Sequence, residues 1–320
     1  MTPLVDLRQV SVTFGTSQGP ILAVSAVDLA IRPGEIVGIA GESGSGKTTL
    51  CRAIMGALPD EARLSGEIWF AGTRISGRPV AEIRRLWGRE IAMVLQNPMT
   101  ALDPLYPIGS QIDEMIGVRF GAAALPGRAL EILRSVHLTA PELRLRQYPH
   151  QLSGGMRQRV LIGMASATRA KLLLADEPTT ALDATIQEEI LVLFREIRDR
   201  SGTAIVIVTH DLGVIRRVCE RVIVMYGGRV VEDGPTEAVF TAPRHPYTRA
   251  LLESLPRIEG EEIVLQAIDG QVPDPSELGD FCPFSPRCRL AREACLAKFP
   301  GETRVTGAHR VFCWAAEQPP

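Results

Sequence analysis

The eight residues from Gly41 to Thr48 have the composition of a loop that binds phosphate groups. They read Gly41-Glu42-Ser43-Gly44-Ser45-Gly46-Lys47-Thr48, and Thr49 extends the same candidate site. Glycines let consecutive backbone N–H groups close around phosphate oxygens, and a following helix adds its positive end. Lys47 can reach the β- and γ-phosphates of ATP, and the Thr48 hydroxyl can ligate Mg²⁺. The pattern therefore predicts nucleotide binding, with a glycine-rich turn that only caps a helix as the alternative.

Polar side chains also stand at the ends of three apolar, strand-like runs. Asp176 and Glu177 follow one run, so Asp176 can hold Mg²⁺ and Glu177 can polarise the attacking water as a general base. His210 ends a second run and is a candidate sensor of the γ-phosphate. Gln96 follows a third, and its amide can contact Mg²⁺ or the attacking water. Each residue alone also fits a structural role, but the phosphate-binding loop upstream favours catalysis.

A second glycine-rich segment, Leu152-Ser153-Gly154-Gly155-Met156-Arg157-Gln158, opens an apolar helical pattern. Ser153 suits the N-cap of a helix, so capping alone is one interpretation. Gly154 and Gly155 lie just inside the helix, where glycine costs stability. Close approach of the backbone to an anion would justify them.

The elements that must hold these side chains alternate between strand and helix patterns. Strands are expected at 4–14, 21–31, 35–40, 66–75, 91–95, 171–175, 204–208 and 221–232, and helices at 48–58, within 98–167 and at 186–200. This order predicts an α/β fold with a parallel sheet and helical crossovers. We expect one domain over 1–240, with a helical subdomain inserted at about 98–167. Residues 241–320, richer in proline and cysteine, form an appended extension.

Composition excludes several classes of protein. The net charge of -2 gives no general attraction for nucleic acid or anionic lipid. No apolar run approaches the roughly 20 residues of a membrane span. The first ten residues mix charged and apolar side chains and do not resemble a signal peptide, so we expect a cytoplasmic chain.

The motifs together resemble the ATPase cassette of ABC transporters over residues 4–240. The match rests on Gly41 to Thr48, Gln96, Leu152 to Gln158, Asp176-Glu177, Ala181-Leu182-Asp183 and His210. The resemblance implies a P-loop NTPase (RecA-like) core with an antiparallel β subdomain. It also implies a head-to-tail dimer, in which the P-loop of one subunit and the Ser153 segment of the other bind each ATP. Phe14 matches the aromatic residue that stacks on adenine in this family.

Further motifs are similar to those of the dipeptide/oligopeptide (and nickel) importer ATPases. They are the four segments Gln96-Asn97-Pro98-Met99-Thr100-Ala101-Leu102, Gly154-Gly155-Met156-Arg157-Gln158-Arg159, Asp176-Glu177-Pro178-Thr179-Thr180-Ala181-Leu182-Asp183 and Arg244-His245-Pro246-Tyr247-Thr248-Arg249-Ala250-Leu251-Leu252. This resemblance implies a peripheral subunit at the cytoplasmic face of the cell membrane. Its expected partners are a second ABC ATPase subunit in a heterodimer, two integral membrane permease subunits and, indirectly, an extracytoplasmic solute-binding protein. No nucleic-acid partner is expected.

The sequence motifs are also compatible with other functions. The cargo could be nickel or another small solute. A soluble cassette ATPase of DNA repair or translation is the alternative from another class, but such proteins typically carry two cassettes or a long coiled-coil insertion. Only 56 residues separate Gln96 from Ser153 here, which favours the transporter.

Four cysteines are concentrated in the last forty residues: Cys282, Cys288, Cys295 and Cys313. Disulfides are disfavoured in the cytoplasm, and the short Cys-x2-4-Cys spacing typical of zinc is missing. A [4Fe–4S] cluster needs four thiolates and tolerates varied spacing. The resembled importers carry cysteines at similar positions, so an iron–sulfur cluster is the prediction. Zinc and unligated thiols are the alternatives.

Overall fold

A computed structural model describes residues 2–17, 19–255, 257–259, 262–264 and 267–316. The strands are β1 (Val5–Thr16), β2 (Gly19–Ile31), β3 (Ile36–Ala40), β4 (Ala62–Phe70), β5 (Thr73–Arg74), β6 (Ile91–Val94), β7 (Leu172–Asp176), β8 (Ala204–Thr209), β9 (Arg221–Tyr226), β10 (Arg229–Pro235), β11 (Arg257–Glu259), β12 (Glu262–Val264), β13 (Thr303–Thr306) and β14 (His309–Val311). The helices are α1 (Lys47–Met55), α2 (Val80–Ile83), α3 (Pro98–Ala101), α4 (Ile108–Phe120), α5 (Arg128–Ser135), α6 (Pro141–Arg144), α7 (Gly154–Ala167), α8 (Ala184–Ser201), α9 (Leu212–Val218), α10 (Thr236–Thr241), α11 (Pro246–Glu253) and α12 (Glu293–Ala297).

The chain divides into two compact units that interleave along the sequence. The first comprises Met1–Ile31, Val37–Gly77 and Val208–Pro320, and the second comprises Arg32–Ile36 and Arg78–Ile207. In the described part of the chain, no helix has both the length and the apolar character needed to cross a membrane.

The first unit contains an antiparallel sheet in the order β2-β1-β4-β5. Val12 lies opposite Val24 on β2 and Leu64 on β4, so β1 is the central strand. Val5, Val10 and Val12 are fully buried, because β-branched side chains pack well on a pleated surface. This sheet is the antiparallel β subdomain that the family resemblance implied.

The same unit contains a second group of strands in the order β13-β14-β10-β9-β3. β3 and β9 are parallel, whereas β9 and β10 form the predicted hairpin through Gly227 and Gly228, both with positive φ. β14 pairs with β10, with Val311 opposite Glu232. Strands of three and four residues are too short to show a period of two, so the sequence did not reveal β13 and β14.

The second unit combines parallel strands with helices. β6 and β7 pair in parallel from Ile91 and Leu172 to Val94 and Ala175, and β8 lies next to β7. Residues 98–167, predicted to be helical, contain α3 to α7. Buried side chains cover the whole of β7 and β8, as expected for strands enclosed on both faces.

Helix α1 ends earlier than its sequence pattern predicts. Pro59 was expected to end it, but Gly56 ends it in a left-handed conformation with φ 66°. The backbone N–H of Gly56 donates to Ala53, and that of Ala57 donates to Arg52. This C-terminal motif satisfies the last carbonyl groups of the helix before the proline is reached.

A buried carboxylate joins β10 to its neighbours in the first unit. Asp233 is 1% exposed and accepts two hydrogen bonds from Arg221, at 2.6 Å each. Arg310 on β14 donates to Asp233 at 2.7 Å and to the Asp28 carbonyl at 2.7 Å. A two-pronged arginine–carboxylate pair of this kind is both directional and strong.

We expect the substitution Asp233→Asn to lower the free energy of unfolding by about 3 kcal/mol, because it removes the buried carboxylate charge that the guanidinium groups of Arg221 and Arg310 share. The exposed pair of Asp269 and Arg289 provides a control, since Asp269→Asn should cost less than about 0.5 kcal/mol. Urea denaturation of both variants measures the two losses. Equal losses would show that the buried ion pair contributes no more than a surface one.

Candidate nucleotide-binding site

The phosphate-binding sequence forms the turn between β3 and α1. Gly41 has φ 151° and Gly46 has φ 95°, values that only glycine adopts readily. A Cβ atom at Gly41 would lie 2.2 Å from the Met225 carbonyl oxygen, and one at Gly46 would lie 2.4 Å from the Ala23 carbonyl oxygen. Both glycines are therefore required by conformation and by contact with neighbouring backbone.

Lys47, the first residue of α1, carries a buried ammonium group inside this turn. Its side chain donates to the carbonyl oxygens of Gly41 at 2.8 Å and Glu42 at 2.7 Å, and to Ser45 Oγ at 3.1 Å. Lys47 is 5% exposed. An ammonium group held by dipoles of its own loop can turn to phosphate oxygens without a change in the backbone.

The rest of the loop leads into the first turn of α1. Ser43 and Gly44 are exposed at its tip, and Thr48 and Thr49 are half-buried in the first turn of α1. The backbone N–H groups of such a turn and the positive end of α1 suit an anion. The residues present therefore fit a nucleotide phosphate group.

In the second unit, the structure brings Gln96 and Glu177 together. Gln96 Nε2 donates to Glu177 Oε2 at 3.0 Å, and Thr180 Oγ1 donates to the same oxygen at 2.9 Å. Asp176, the last residue of β7, is 3% exposed. Thr180 was named in the sequence only as part of a family motif. Its contact with Glu177 was not predicted, although a threonine three residues after Glu177 in a turn is within hydrogen-bonding reach.

Glu177 also has an uncommon backbone conformation. Its φ is 46°, in the left-handed region that non-glycine residues seldom occupy. Strain of this kind persists only where the surroundings impose it, and it is concentrated at functional sites. The two hydrogen bonds to its carboxylate are part of those surroundings.

Ser153 begins α7 as an N-cap, because its side chain accepts a hydrogen bond from Met156 N at 3.3 Å. Gly155 is buried, and a Cβ atom there would lie 2.5 Å from Ile186 Cγ2 on α8. The same atom at Gly154 would meet only Leu182, at 3.7 Å. Packing between α7 and α8 thus explains Gly155 without an anion, whereas Gly154 has no such explanation.

The other predicted residues lie at strand ends in the first unit. Phe14 is half-buried near the end of β1, opposite Ile21 and Ala62. A partly accessible aromatic ring is what stacking on a base requires. His210 is exposed immediately after β8, and Asp211 caps the following helix α9.

The predicted iron–sulfur cluster is wrong. Among the described residues, which include all four tail cysteines, no group of three or more His, Cys, Asp or Glu side chains can hold a metal ion. All four are free thiols, and burial raises the pKa of Cys282 to about 12. Burial also raises the pKa of Cys288 and of Cys313. The spacing of cysteines in the sequence does not show how their thiols are oriented in the fold. The zinc alternative fails as well, because zinc needs the same kind of ligand group, which the described residues do not form.

The glycine turn with its buried lysine, and the carboxylates at the end of a parallel strand, define a P-loop nucleotide hydrolase. Comparison with known proteins gives the family. The ABC transporter family matches residues 24–180, and the oligopeptide/dipeptide transporter C-terminal region matches residues 231–295.

Relatives match nearly the whole chain. A probable peptide ABC transporter ATP-binding protein of Sinorhizobium fredii is 42% identical over 98% of this chain and 96% of its own. The oligopeptide transport ATP-binding protein OppD of Haemophilus influenzae is 41% identical over 99% of both chains. The dipeptide transport ATP-binding protein DppD of Escherichia coli is 42% identical over 97% of this chain and 96% of its own.

Solved structures agree with this assignment. A dimeric ATP-binding cassette in a post-hydrolysis state, bound to ADP and Pi, is 32% identical and superimposes with a TM-score of 0.65. The alignment covers 72% of this chain and 98% of that one. The chain belongs to the ABC transporter ATPase family, in its oligopeptide/dipeptide importer group.

We expect Gly155→Ala to lower the free energy of unfolding by about 1–3 kcal/mol, because the new methyl group collides with Ile186. Gly154→Ala is the matched control, and its stability should be unchanged or higher by up to about 1 kcal/mol. Urea denaturation measures both. Adding Ile186→Ala should make Gly155→Ala cost less, and strict additivity of the two losses would contradict the proposed contact.

Proposed function

We propose that this chain is the ATP-hydrolysing, energy-coupling subunit of an importer for dipeptides or oligopeptides. The observation that carries the proposal is the buried ammonium of Lys47 inside the glycine turn. Two relatives that align over at least 96% of both chains are peptide-transport ATP-binding proteins. The match of residues 231–295 to the peptide-transporter C-terminal region supports the peptide cargo.

ATP binding is assigned to the turn from Gly41 to Thr49, with Phe14 against the base. Thr48, Gln96 and Asp176 are proposed as Mg²⁺ ligands from the chemistry of their hydroxyl, amide and carboxylate oxygens, since Mg²⁺ favours oxygen ligands. An Mg²⁺ ion held there would neutralise negative charge on the phosphate groups of the nucleotide.

Hydrolysis is assigned to Glu177 as the general base that orients the attacking water. The hydrogen bonds from Gln96 and Thr180 support this role, since they hold the carboxylate in one orientation. His210 is proposed as the contact to the γ-phosphate.

Each ATP site is proposed to be completed by the Ser153-Gly154-Gly155 segment of a second ATPase subunit. Exposure of Ser153 at the start of α7 supports this, as does the dimeric state of the similar cassette bound to ADP and Pi. A related but different subunit is the preferred partner. The ATPase subunits are proposed to lie at the cytoplasmic face of the membrane against two integral membrane permeases, with an extracytoplasmic solute-binding protein as an indirect partner.

In the assembled transporter, we expect Glu177→Gln to lower the rate of phosphate release at least about a hundredfold, because the neutral amide cannot polarise water. The variant should retain ATP and accumulate as a nucleotide-bound ATPase dimer. Glu277→Gln, an exposed glutamate elsewhere in the chain, is the control and should leave turnover unchanged. Phosphate release at the wild-type rate in Glu177→Gln would remove Glu177 from the mechanism.

The cargo is tested by reconstituting this chain in liposomes with peptide-transporter permeases and a solute-binding protein from the same organism. Uptake of a radiolabelled dipeptide or tetrapeptide should require ATP and should disappear with Lys47→Ala, which removes the ammonium group from the loop. Uptake of nickel without peptide would favour the metal-importing alternative. An ATPase that neither associates with permeases nor supports uptake would favour the soluble class.

A further inference from the structure

Arg287, far along the chain, contacts the phosphate-binding turn in the first unit. Its guanidinium donates to both carboxylate oxygens of Glu42, at 2.8 Å from Nη1 to Oε2 and 3.3 Å from Nη2 to Oε1. The side chain of Arg287 is 4% exposed and that of Glu42 is 26% exposed. A two-pronged, largely buried pair is stronger and more directional than a surface ion pair.

Arg287 is itself fixed by several acceptors. Its Nε donates to the Asp269 carbonyl at 2.9 Å, Nη2 to the Ile268 carbonyl at 3.2 Å, and Nη1 to the Tyr226 hydroxyl at 3.1 Å. Burial lowers the pKa of Arg287, but the hydrogen bonds that Arg287 donates to Glu42 and Tyr226 outweigh burial, so the pKa is raised. The residue is therefore a rigid positive charge.

The backbone of Glu42 is held from the same side. Its N–H donates to the Tyr247 hydroxyl at 2.8 Å. Tyr247 is fully buried and packs against Tyr226 and Phe284, with ring centroids 4.5 Å and 5.3 Å away. Burial raises the pKa of Tyr247, so its hydroxyl remains neutral.

Glu42 in turn contacts the residue that the ATP site depends on, because its carbonyl oxygen accepts from Lys47 at 2.7 Å. A carboxylate inside a loop for a triphosphate would repel that ligand, since like charges at close range oppose binding. Arg287 supplies the counter-charge. A continuous path of hydrogen bonds thus runs from Arg287 through Glu42 to Lys47.

We propose that Arg287 is a positioning residue of the ATP site, which neutralises and orients Glu42 so that the loop accepts the triphosphate. Tyr247 fixes the backbone of the same glutamate. This inference rests on the proposed ATP site, because it concerns the same loop. It gives the C-terminal part of the chain a role in nucleotide binding.

The test measures the Kd for a fluorescent ATP analogue with the full chain. Arg287→Met should raise the Kd about tenfold, the equivalent of one charge-assisted hydrogen bond. Adding Glu42→Gln should return the Kd to within about twofold of the wild type, because it removes the uncompensated carboxylate. Arg289→Met, with a side chain 89% exposed, is the matched control and should bind as the wild type does.

If adding Glu42→Gln restores the affinity of Arg287→Met, the loss was caused by an uncompensated carboxylate charge. Glu42→Gln would not restore affinity if Arg287 had only a structural role. The melting temperature without nucleotide identifies folded variants. Arg287→Lys keeps the charge but loses the planar fork, and it should raise the Kd about threefold. This variant replaces Arg287→Met if the latter does not fold.

Two results would overturn the inference. One is wild-type affinity in folded Arg287→Met and Arg287→Lys. The other is a double variant that binds as weakly as Arg287→Met. The variant Lys47→Ala distinguishes a failure of the proposed ATP site from a failure of the proposed role of Arg287. If Lys47→Ala binds the analogue as tightly as the wild type, the proposed ATP site fails as well. If Lys47→Ala loses binding of the analogue but the Arg287 variants keep it, the ATP site stands and only the proposed role of Arg287 fails.

Discussion

The structure of the first unit depends on keeping one ammonium group buried and charged. Taking the charge of Lys47 out of water costs several kcal/mol unless hydrogen-bond acceptors replace the water. The carbonyl oxygens of Gly41 and Glu42 and the hydroxyl of Ser45 are those acceptors. They converge only because the turn uses positive φ at glycine and packs against neighbouring backbone. The same dipoles and the same charge are then available to a phosphate group.

The second unit meets a different electrostatic requirement, because the carboxylate of Glu177, the proposed base, must remain available to a water molecule. Glu177 follows a fully buried strand, so its position is set by β7, while its left-handed backbone and two side-chain donors set its direction. Residues of two different segments, Gln96 and Thr180, donate to one oxygen. Having one of the two donors on the separate segment of Gln96 suits a reaction in which that segment responds to the nucleotide.

Much of this arrangement was readable in the sequence because it depends on local rules. The glycine turn, the strand before it and the helix after it were all predicted, since turn geometry and periodicity are properties of short segments. The end of α1 was misplaced because Gly56 satisfied the helix carbonyls before Pro59 was reached. The prediction of an iron–sulfur cluster from the four tail cysteines was wrong for another reason. Their spacing resembles that of ligand-rich proteins, but metal binding depends on where buried thiols lie in three dimensions, and the described cysteines form no such group.

The sequence by itself determined the family, the phosphate-binding turn, the strand-end acids and the capped start of α7, because each is encoded within a few consecutive residues. Only the tertiary structure decided which distant residues support them. The contacts from Arg287 and Tyr247 to Glu42 each span more than two hundred residues, and Gln96 and Glu177 are 81 residues apart. No local pattern specifies such pairs. They arise because burial of apolar surface folds the chain back on itself, and hydrogen bonds then select the polar groups that this folding brings together.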